Sequence, residues 1–135
     1  MTTSSKSALL ICLALASCNS REVNANAEEV EAEYRLISPA DAQRMMSEAD
    51  SYILLDVRTR EEYRERRIEG AVLIPVSELA ERSGAELPDK TSTILVYCQS
   101  GRRSESAARL LLSLGYTTVY DMGGITNWPY PTVSD

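Results

Sequence analysis

The stretch Thr93-Ile94-Leu95-Val96-Tyr97-Cys98-Gln99-Ser100-Gly101-Arg102-Arg103-Ser104 decides how this chain folds. Thr93 to Tyr97 is short, apolar and rich in β-branched residues, which marks a buried strand. Downstream, Ala107, Ala108, Leu111 and Leu114 recur at helical spacing and Gly115 supplies a stop, so a helix is expected over Glu105 to Leu114. Cys98 then falls at the carboxyl end of a strand, just before a helix amino terminus. In open α/β sheets ligands bind at that edge. Gly101 permits a backbone angle that other residues resist. A turn of this composition aims its amides inward, and such a nest, backed by the helix dipole, holds negative charge.

The thiolate is the nucleophilic form of cysteine, and a helix amino terminus with adjacent arginines favours it. Arg102 and Arg103 supply those charges. A small apolar cysteine ending a core strand is the plain alternative. It leaves the glycine turn and the two arginines unexplained.

The segment Cys98 to Ser104 resembles the C-x-x-G-x-R-S active-site loop of the rhodanese (sulfurtransferase) family. Leu55-Asp56-Val57-Arg58 with Glu61-Glu62-Tyr63 is similar to the family's D-V-R-x-x-x-E-[FY] block. Ile68-Glu69-Gly70-Ala71 with Ile74-Pro75 resembles its I-x-G-A-x-x-I-P, and Gly123-Gly124 with Trp128 resembles its closing glycine pair and tryptophan. The blocks stand in the family's order, and the resemblance runs from Tyr34 to Val133. The chain departs from the pattern at Arg66-Arg67, where a Gly-His pair is usual, and at Leu73, where asparagine is usual. Those changes touch the pocket rim and local hydrogen bonding rather than the nucleophile.

Composition bounds the alternatives. The chain has 135 residues, enough for one domain, and its 44 % hydrophobic and 25 % charged content is that of an ordinary globular chain. A net charge of −6 argues against general nucleic-acid binding, which needs a basic surface. There is no histidine, so Cys-His and Ser-His catalysis and His-ligated metal sites are excluded. Cys12, Cys18 and Cys98 are too widely spaced for a zinc pattern, and no metal or organic cofactor is expected.

Residues 1–17 look like a signal peptide: Lys6 opens it, and the apolar run Ala8 to Ala16 is shorter than the roughly 20 residues that span a bilayer. Leu15-Ala16-Ser17-Cys18 resembles a bacterial lipobox, with Cys18 the lipidated residue; a plain secretory signal is the rival. Cleavage there leaves Cys98 as the one free thiol, so no internal disulfide can form. A lone thiol in an exported chain suggests reactivity. Residues 18–33 are polar and acidic and read as a tether. The expected location is the bacterial cell envelope, lipid-anchored and facing the periplasm or exterior.

The domain is expected over 34–133. Strands are expected at Tyr34 to Ile37, Tyr52 to Asp56, Ala71 to Ile74, Thr93 to Cys98 and Thr117 to Tyr120. Helices are expected from Ser38-Pro39 to about Ala49, burying Ala42, Met45 and Met46, at Thr59 to Arg66, at Ser77 to Arg82 and through Leu114. Ser83-Gly84 and Leu87 to Lys90 read as loops, and Asp121 to Gly124 as a turn. Strands alternating with helices give an α/β fold, a mainly parallel five-stranded sheet with helices on both faces, as in the three-layer rhodanese-like fold. Asp56 and Arg58 share the sheet edge with Cys98 and either brace the active loop or cap the next helix. The charged run Glu61 to Arg67 reads as a solvated helix face, and Trp128 as packing.

The resemblance implies a sulfurtransferase. Cys98 would take the outer sulfur of a small anionic donor such as thiosulfate and pass it to a thiol or cyanide-like acceptor. Gln99, Ser100, Gly101, Arg102 and Arg103 would bind the anion, Arg102 attracting the donor, with Ser104, Asp56 and Arg58 supporting the loop. One rival is a non-catalytic persulfide carrier. Another is a cysteine phosphatase or arsenate reductase, whose pattern places arginine six positions after the cysteine; here Ser104 holds that position and Arg103 precedes it.

Overall fold

The computed structural model describes residues 32–135, which form one compact unit. The expected leader at 1–17, Cys18 and the tether up to residue 31 lie outside the described residues. Helix α1 spans Pro39–Glu48, strand β1 Ile53–Asp56, helix α2 Arg60–Glu65 and strand β2 Val72–Leu73. A 3-10 turn at Val76–Glu78 leads into helix α3, Leu79–Glu86. Strand β3 is Thr93–Cys98, helix α4 Arg102–Ser113 and strand β4 Thr118–Gly124, followed by a 3-10 turn at Ile125–Asn127. The sheet is parallel, in the order β2-β1-β3-β4.

Strand β3 is central because both its faces are apolar. Its pleat sends Ile94, Val96 and Cys98 into one core with Leu55, Ala107, Ala108 and Leu111. Leu95 and Tyr97 point the other way, into a core with Ala42, Leu54, Met122 and Trp128. Helices α3 and α4 cover the first face and α1 the second, so the α/β layering expected from the alternation is present. Trp128 is 6 % exposed and packs edge-on against Tyr130, ring centroids 4.9 Å apart.

Local signals set several boundaries. Ser38 caps α1 through the Asp41 amide with Pro39 at the first position. Thr59 and Glu62 close a capping box on α2. At the end of α4, the Tyr116 amide reaches Leu111 O at 3.1 Å and the Gly115 amide reaches Leu112 O at 3.1 Å, with Gly115 at φ +99°. That pairing is a Schellman termination, and it needs a residue at home in the left-handed region.

Four expectations are corrected by tertiary contacts. Tyr34 to Ile37 is not a full strand but one parallel bridge, Leu36 to Asp121, because Pro39 opens α1 directly after it and Leu36 stays exposed among the described residues. Ser83-Gly84 is not a loop but the interior of α3, because the Tyr116 hydroxyl donates to Ser83 O at 3.0 Å and to Leu87 O at 2.6 Å and holds the last turn. Asp121 to Gly124 is not a turn but the end of β4. Val96 faces Asp121 and Cys98 faces Gly124, so β4 carries one extra residue, a bulge beside the loop. Helix α4 begins at Arg102 rather than Glu105, because buried Ser104 extends the Ala107, Ala108, Leu111 stripe by one turn.

Candidate active site

The residues from Cys98 to Arg102 turn from the end of β3 into α4. Cys98 is buried, and the Gly101 amide donates to its Sγ at 3.0 Å. Gly101 sits at φ +105° as the cap of α4, so its amide on the sulfur directly precedes the first turn of that helix. Among the described residues Gly101 supplies the one amide that donates to Sγ; the wider nest expected from the sequence is not made by the thiol alone.

The loop is held from three sides. Asp56 and Arg58 are both buried and paired, Arg58 Nη2 lying 2.7 Å from Asp56 Oδ2 with Nε donating to the same carboxylate. Arg58 Nη1 donates to Gln99 Oε1 at 3.1 Å, and Nη2 also donates to Arg66 O. Burial opposes the Arg58 charge, but the Asp56 carboxylate outweighs it and holds the guanidinium above its ordinary value. The pair is thus an ion pair that also contacts Gln99 of the loop, whereas the next helix is capped by Thr59 and Glu62 instead. Ser104 Oγ donates to Gly101 O at 3.1 Å, and the Thr126 hydroxyl donates to Gln99 O at 3.1 Å.

The third support is Gly124. A Cβ there would lie 2.3 Å from Gln99 O and 2.7 Å from Ser100 Cα, backbone atoms that cannot swing away. Gly84, in α3, has nothing within 4 Å of a Cβ. We expect Gly124→Ala to destabilise the fold by about 1–3 kcal/mol through overpacking. Gly84→Ala should be stabilising by roughly 0.5–1 kcal/mol, because alanine is the better helix residue. Thermal melts of the two variants check this, and a Gly124→Ala melt equal to wild type would remove the steric argument.

The two arginines divide their roles. Arg103 forms a two-point ion pair with Glu62, both contacts 2.8 Å. This corrects the expectation that Glu62 belongs to a solvated face: α2 lies beside the amino terminus of α4, and Glu62 reaches across. The Arg103 hydrogen bonds hold the Glu62 carboxyl down at about 2, helped by the Thr59 contacts. Arg102 is exposed and makes no ion pair among the described residues. It lines a groove of about 510 Å³ shared with Tyr34, Leu36, Ser100, Gly101 and Asn127. On the other side of the loop, Arg58, Glu62, Glu65, Arg66 and Gln99 line a cleft of about 360 Å³. With Arg58 and Arg103 neutralised by carboxylates, Arg102, which shares its groove with Glu105, and Arg66, on the cleft beside Gln99, are the nearby guanidinium groups without an ion pair among the described residues, and Arg102 is the one within the loop segment itself.

A pH dependence follows from Glu62. Its folded-state value is depressed from 4.5, so its contribution is present above about pH 4.5 and is lost as pH falls through about 2. Glu62→Gln is expected to flatten that acid limb of stability while lowering stability at pH 7. Denaturation at several pH values from 2 to 7 tests it; an unchanged acid limb in Glu62→Gln would assign the effect to other carboxylates.

The structure thus brings Gln99, Ser100, Gly101, Arg102 and Arg103 around one turn with Cys98 and sets Asp56, Arg58 and Ser104 behind it. Sequence reasoning missed Glu62, Thr126 and the contact made by Gly124. Glu62 lies within the Asp56 to Tyr63 block, so its position was visible but its partner was not.

Known proteins resemble this chain in sequence and fold. Residues 38–129 match the family model described as Rhodanese-like domain. The chain is 40 % identical over 79 residues to thiosulfate sulfurtransferase PspE of Escherichia coli (strain K12), spanning 58 % of this chain and 76 % of that relative. It is 34 % identical over 96 residues to thiosulfate sulfurtransferase GlpE of Coxiella burnetii (strain RSA 331 / Henzerling II), spanning 70 % of this chain and 87 % of that relative. Among solved structures, a rhodanese with anions from E. coli superposes with a TM-score of 0.59 at 38 % identity, over 63 % of this chain and all of the other. The human single-domain sulfurtransferase TSTD1 gives a TM-score of 0.62 at 30 % identity, over 71 % of this chain and 96 % of the other.

Proposed function

This chain belongs to the rhodanese-like domain family, and from that premise we propose a sulfurtransferase that carries sulfane sulfur on Cys98. The observation that carries the reading is the cysteine at the end of β3, with its sulfur on the Gly101 amide and Arg102, unpaired among the described residues, on the adjoining groove. The thiol first loses its proton to solvent. The Cys98 thiolate then attacks the outer sulfur of thiosulfate. A sulfur–sulfur bond forms at Cys98 Sγ, the bond to the sulfonate sulfur breaks, and sulfite leaves with the electron pair. The persulfide anion rests against the loop amides from Gln99 to Arg103. An acceptor such as cyanide attacks the outer sulfur, the pair returns to Sγ, and thiocyanate leaves.

The cysteine phosphatase reading is weaker for a specific reason. Tetrahedral phosphate needs several donors spaced around it, and an arginine fork is the usual partner. Here the fork of Arg103 is occupied by Glu62. The test is thiosulfate-to-cyanide transfer and aryl phosphate hydrolysis measured on one preparation. Phosphatase turnover above sulfur transfer would overturn the reading. A protein that accepts one sulfur and turns over no further would instead be a carrier.

The amino-terminal sequence extends the proposal to location. Cys18 after Leu15-Ala16-Ser17 supports lipidation and a membrane anchor in the bacterial envelope. The mature chain is expected to begin at a diacylated Cys18, and Cys18→Ala should abolish processing there. Intact mass measurement on membrane fractions decides it: an unmodified chain beginning elsewhere would refute the anchor.

A further inference from the structure

Behind the loop lies a hydrogen-bond chain, Tyr34 to Asp121 to Gly123, whose three members are buried or half-buried. Asp121 is 1 % exposed, yet none of its contacts is to a basic side chain among the described residues. Its Oδ2 accepts from the Tyr34 hydroxyl at 2.6 Å and its Oδ1 accepts from the Gly123 amide at 2.8 Å. Its backbone closes the single bridge to the segment before α1: the Asp121 amide donates to Arg35 O at 2.8 Å and Asp121 O accepts from the Ile37 amide at 2.9 Å. Arg109 lies over the Tyr34 ring at 4.3 Å and holds it in place.

What Asp121 controls is the glycine pair. Gly123 sits at φ +80°, a conformation the Asp121 carboxylate pins through the Gly123 amide. Gly124 then faces Cys98 across the bulge and lies against the backbone of Gln99 and Ser100 without room for a Cβ. Ser104 Oγ ties Gly123 O to Gly101 O, at 3.4 and 3.1 Å. The loop that would hold the persulfide therefore rests on Gly124, Gly124 on Gly123, and Gly123 on Asp121. A buried carboxylate is a costly way to hold the end of a strand unless that end's position matters.

We propose that Asp121, held by Tyr34, is a positioning residue for sulfur transfer: it fixes the Gly123-Gly124 ledge against which the Cys98 loop is set. The inference rests on the sulfurtransferase reading. Its logic is geometric, because a displacement on the order of 1 Å at a reacting centre costs up to about a hundredfold in rate. Asparagine can replace Asp121 while keeping both contacts: its carbonyl accepts from Gly123 and its amide donates to the Tyr34 oxygen, which can accept. Alanine keeps neither. Tyr34→Phe removes one contact from a side chain at the domain rim.

The experiment measures thiosulfate-to-cyanide kinetics on the full chain for wild type, Tyr34→Phe, Asp121→Asn and Asp121→Ala. Rates are taken per active site by quantifying iodoacetamide alkylation of Cys98 on its own peptide by mass spectrometry, and folded fraction is read by circular dichroism. Expected is a fall in kcat of about tenfold for Asp121→Ala and about threefold for Tyr34→Phe, with KM for thiosulfate changing less than twofold and Asp121→Asn recovering most of the loss. If Asp121→Ala unfolds, the Tyr34→Phe result and its comparison with Asp121→Asn stand alone. Wild-type kcat per titrated thiol in folded Tyr34→Phe and in any folded Asp121→Ala would overturn the proposal, whatever their melting temperatures. Absence of transfer by the wild-type chain itself would instead sink the sulfurtransferase reading.

Discussion

Cys98→Ser is expected to abolish sulfur transfer from thiosulfate to cyanide, a loss of at least about a thousandfold, in a protein that still folds. A covalent intermediate on this side chain is the whole route in a two-step exchange, and losing a covalent nucleophile costs on the order of a millionfold in an enzyme where it has been dissected. Serine cannot substitute, because its hydroxyl stays protonated at neutral pH and forms no persulfide. The fold should tolerate it. Serine fills nearly the same space on the inner face of β3, and its oxygen can accept the Gly101 amide now given to Sγ. The stability cost should be roughly 1 kcal/mol, that of an imperfectly satisfied hydroxyl in an apolar site. Activity is measured beside a thermal melt and mass spectrometry after thiosulfate treatment. Transfer retained by the folded variant, or a persulfide found on it, would sink the central claim.

Arg58→Ala is expected to be the most destabilising change at the site, by about 3–5 kcal/mol, because it strands the Asp56 carboxylate in the interior. Asp56 is fully buried and accepts from the Arg58 amide, Nε and Nη2. Removing the guanidinium leaves the carboxylate one of those three donors. The same change frees Gln99 Oε1 and Arg66 O, so sulfur transfer should fall even in the fraction that remains folded. Urea denaturation of wild type, Arg58→Ala and the double variant Asp56→Asn/Arg58→Met separates the causes. The double variant should recover much of the stability, since no buried charge is left, but not the activity. A single-variant loss under about 1 kcal/mol would mean that water reaches Asp56 and that the pair is a surface feature.

The most legible part of this chain was the segment from Thr93 to Leu114. Its signals are local: β-branched residues, a glycine, then apolar residues at helical spacing. The strand matches residue for residue, and the helix starts three residues early because Ser104, a polar residue, is buried on its inner face. The weak places share one trait, namely that their structure depends on a distant partner. Ser83-Gly84 resembles a loop until the Tyr116 hydroxyl caps it from elsewhere in the chain. Asp121-Met122-Gly123-Gly124 has turn composition, but strand pairing with β3 draws it into the sheet.

The site divides in the same way. The sequence by itself determined that Cys98 ends a strand before a glycine turn, that no histidine is present, and which family the chain belongs to, because these depend on residue type and short spacing. Only the tertiary structure decided which charges at the loop are available. Arg102 and Arg103 are adjacent in sequence and alike in chemistry, yet Glu62 neutralises Arg103 while Arg102 faces the groove. Asp56 and Arg58 could have been a helix cap or a brace until Gln99 was seen to accept from Arg58. The physical reason is that electrostatic partners are chosen by distance in space. Spacing along one helix or strand fixes which residues share a face, but pairing across the sheet edge brings Glu62 to Arg103 and Gly124 to Cys98.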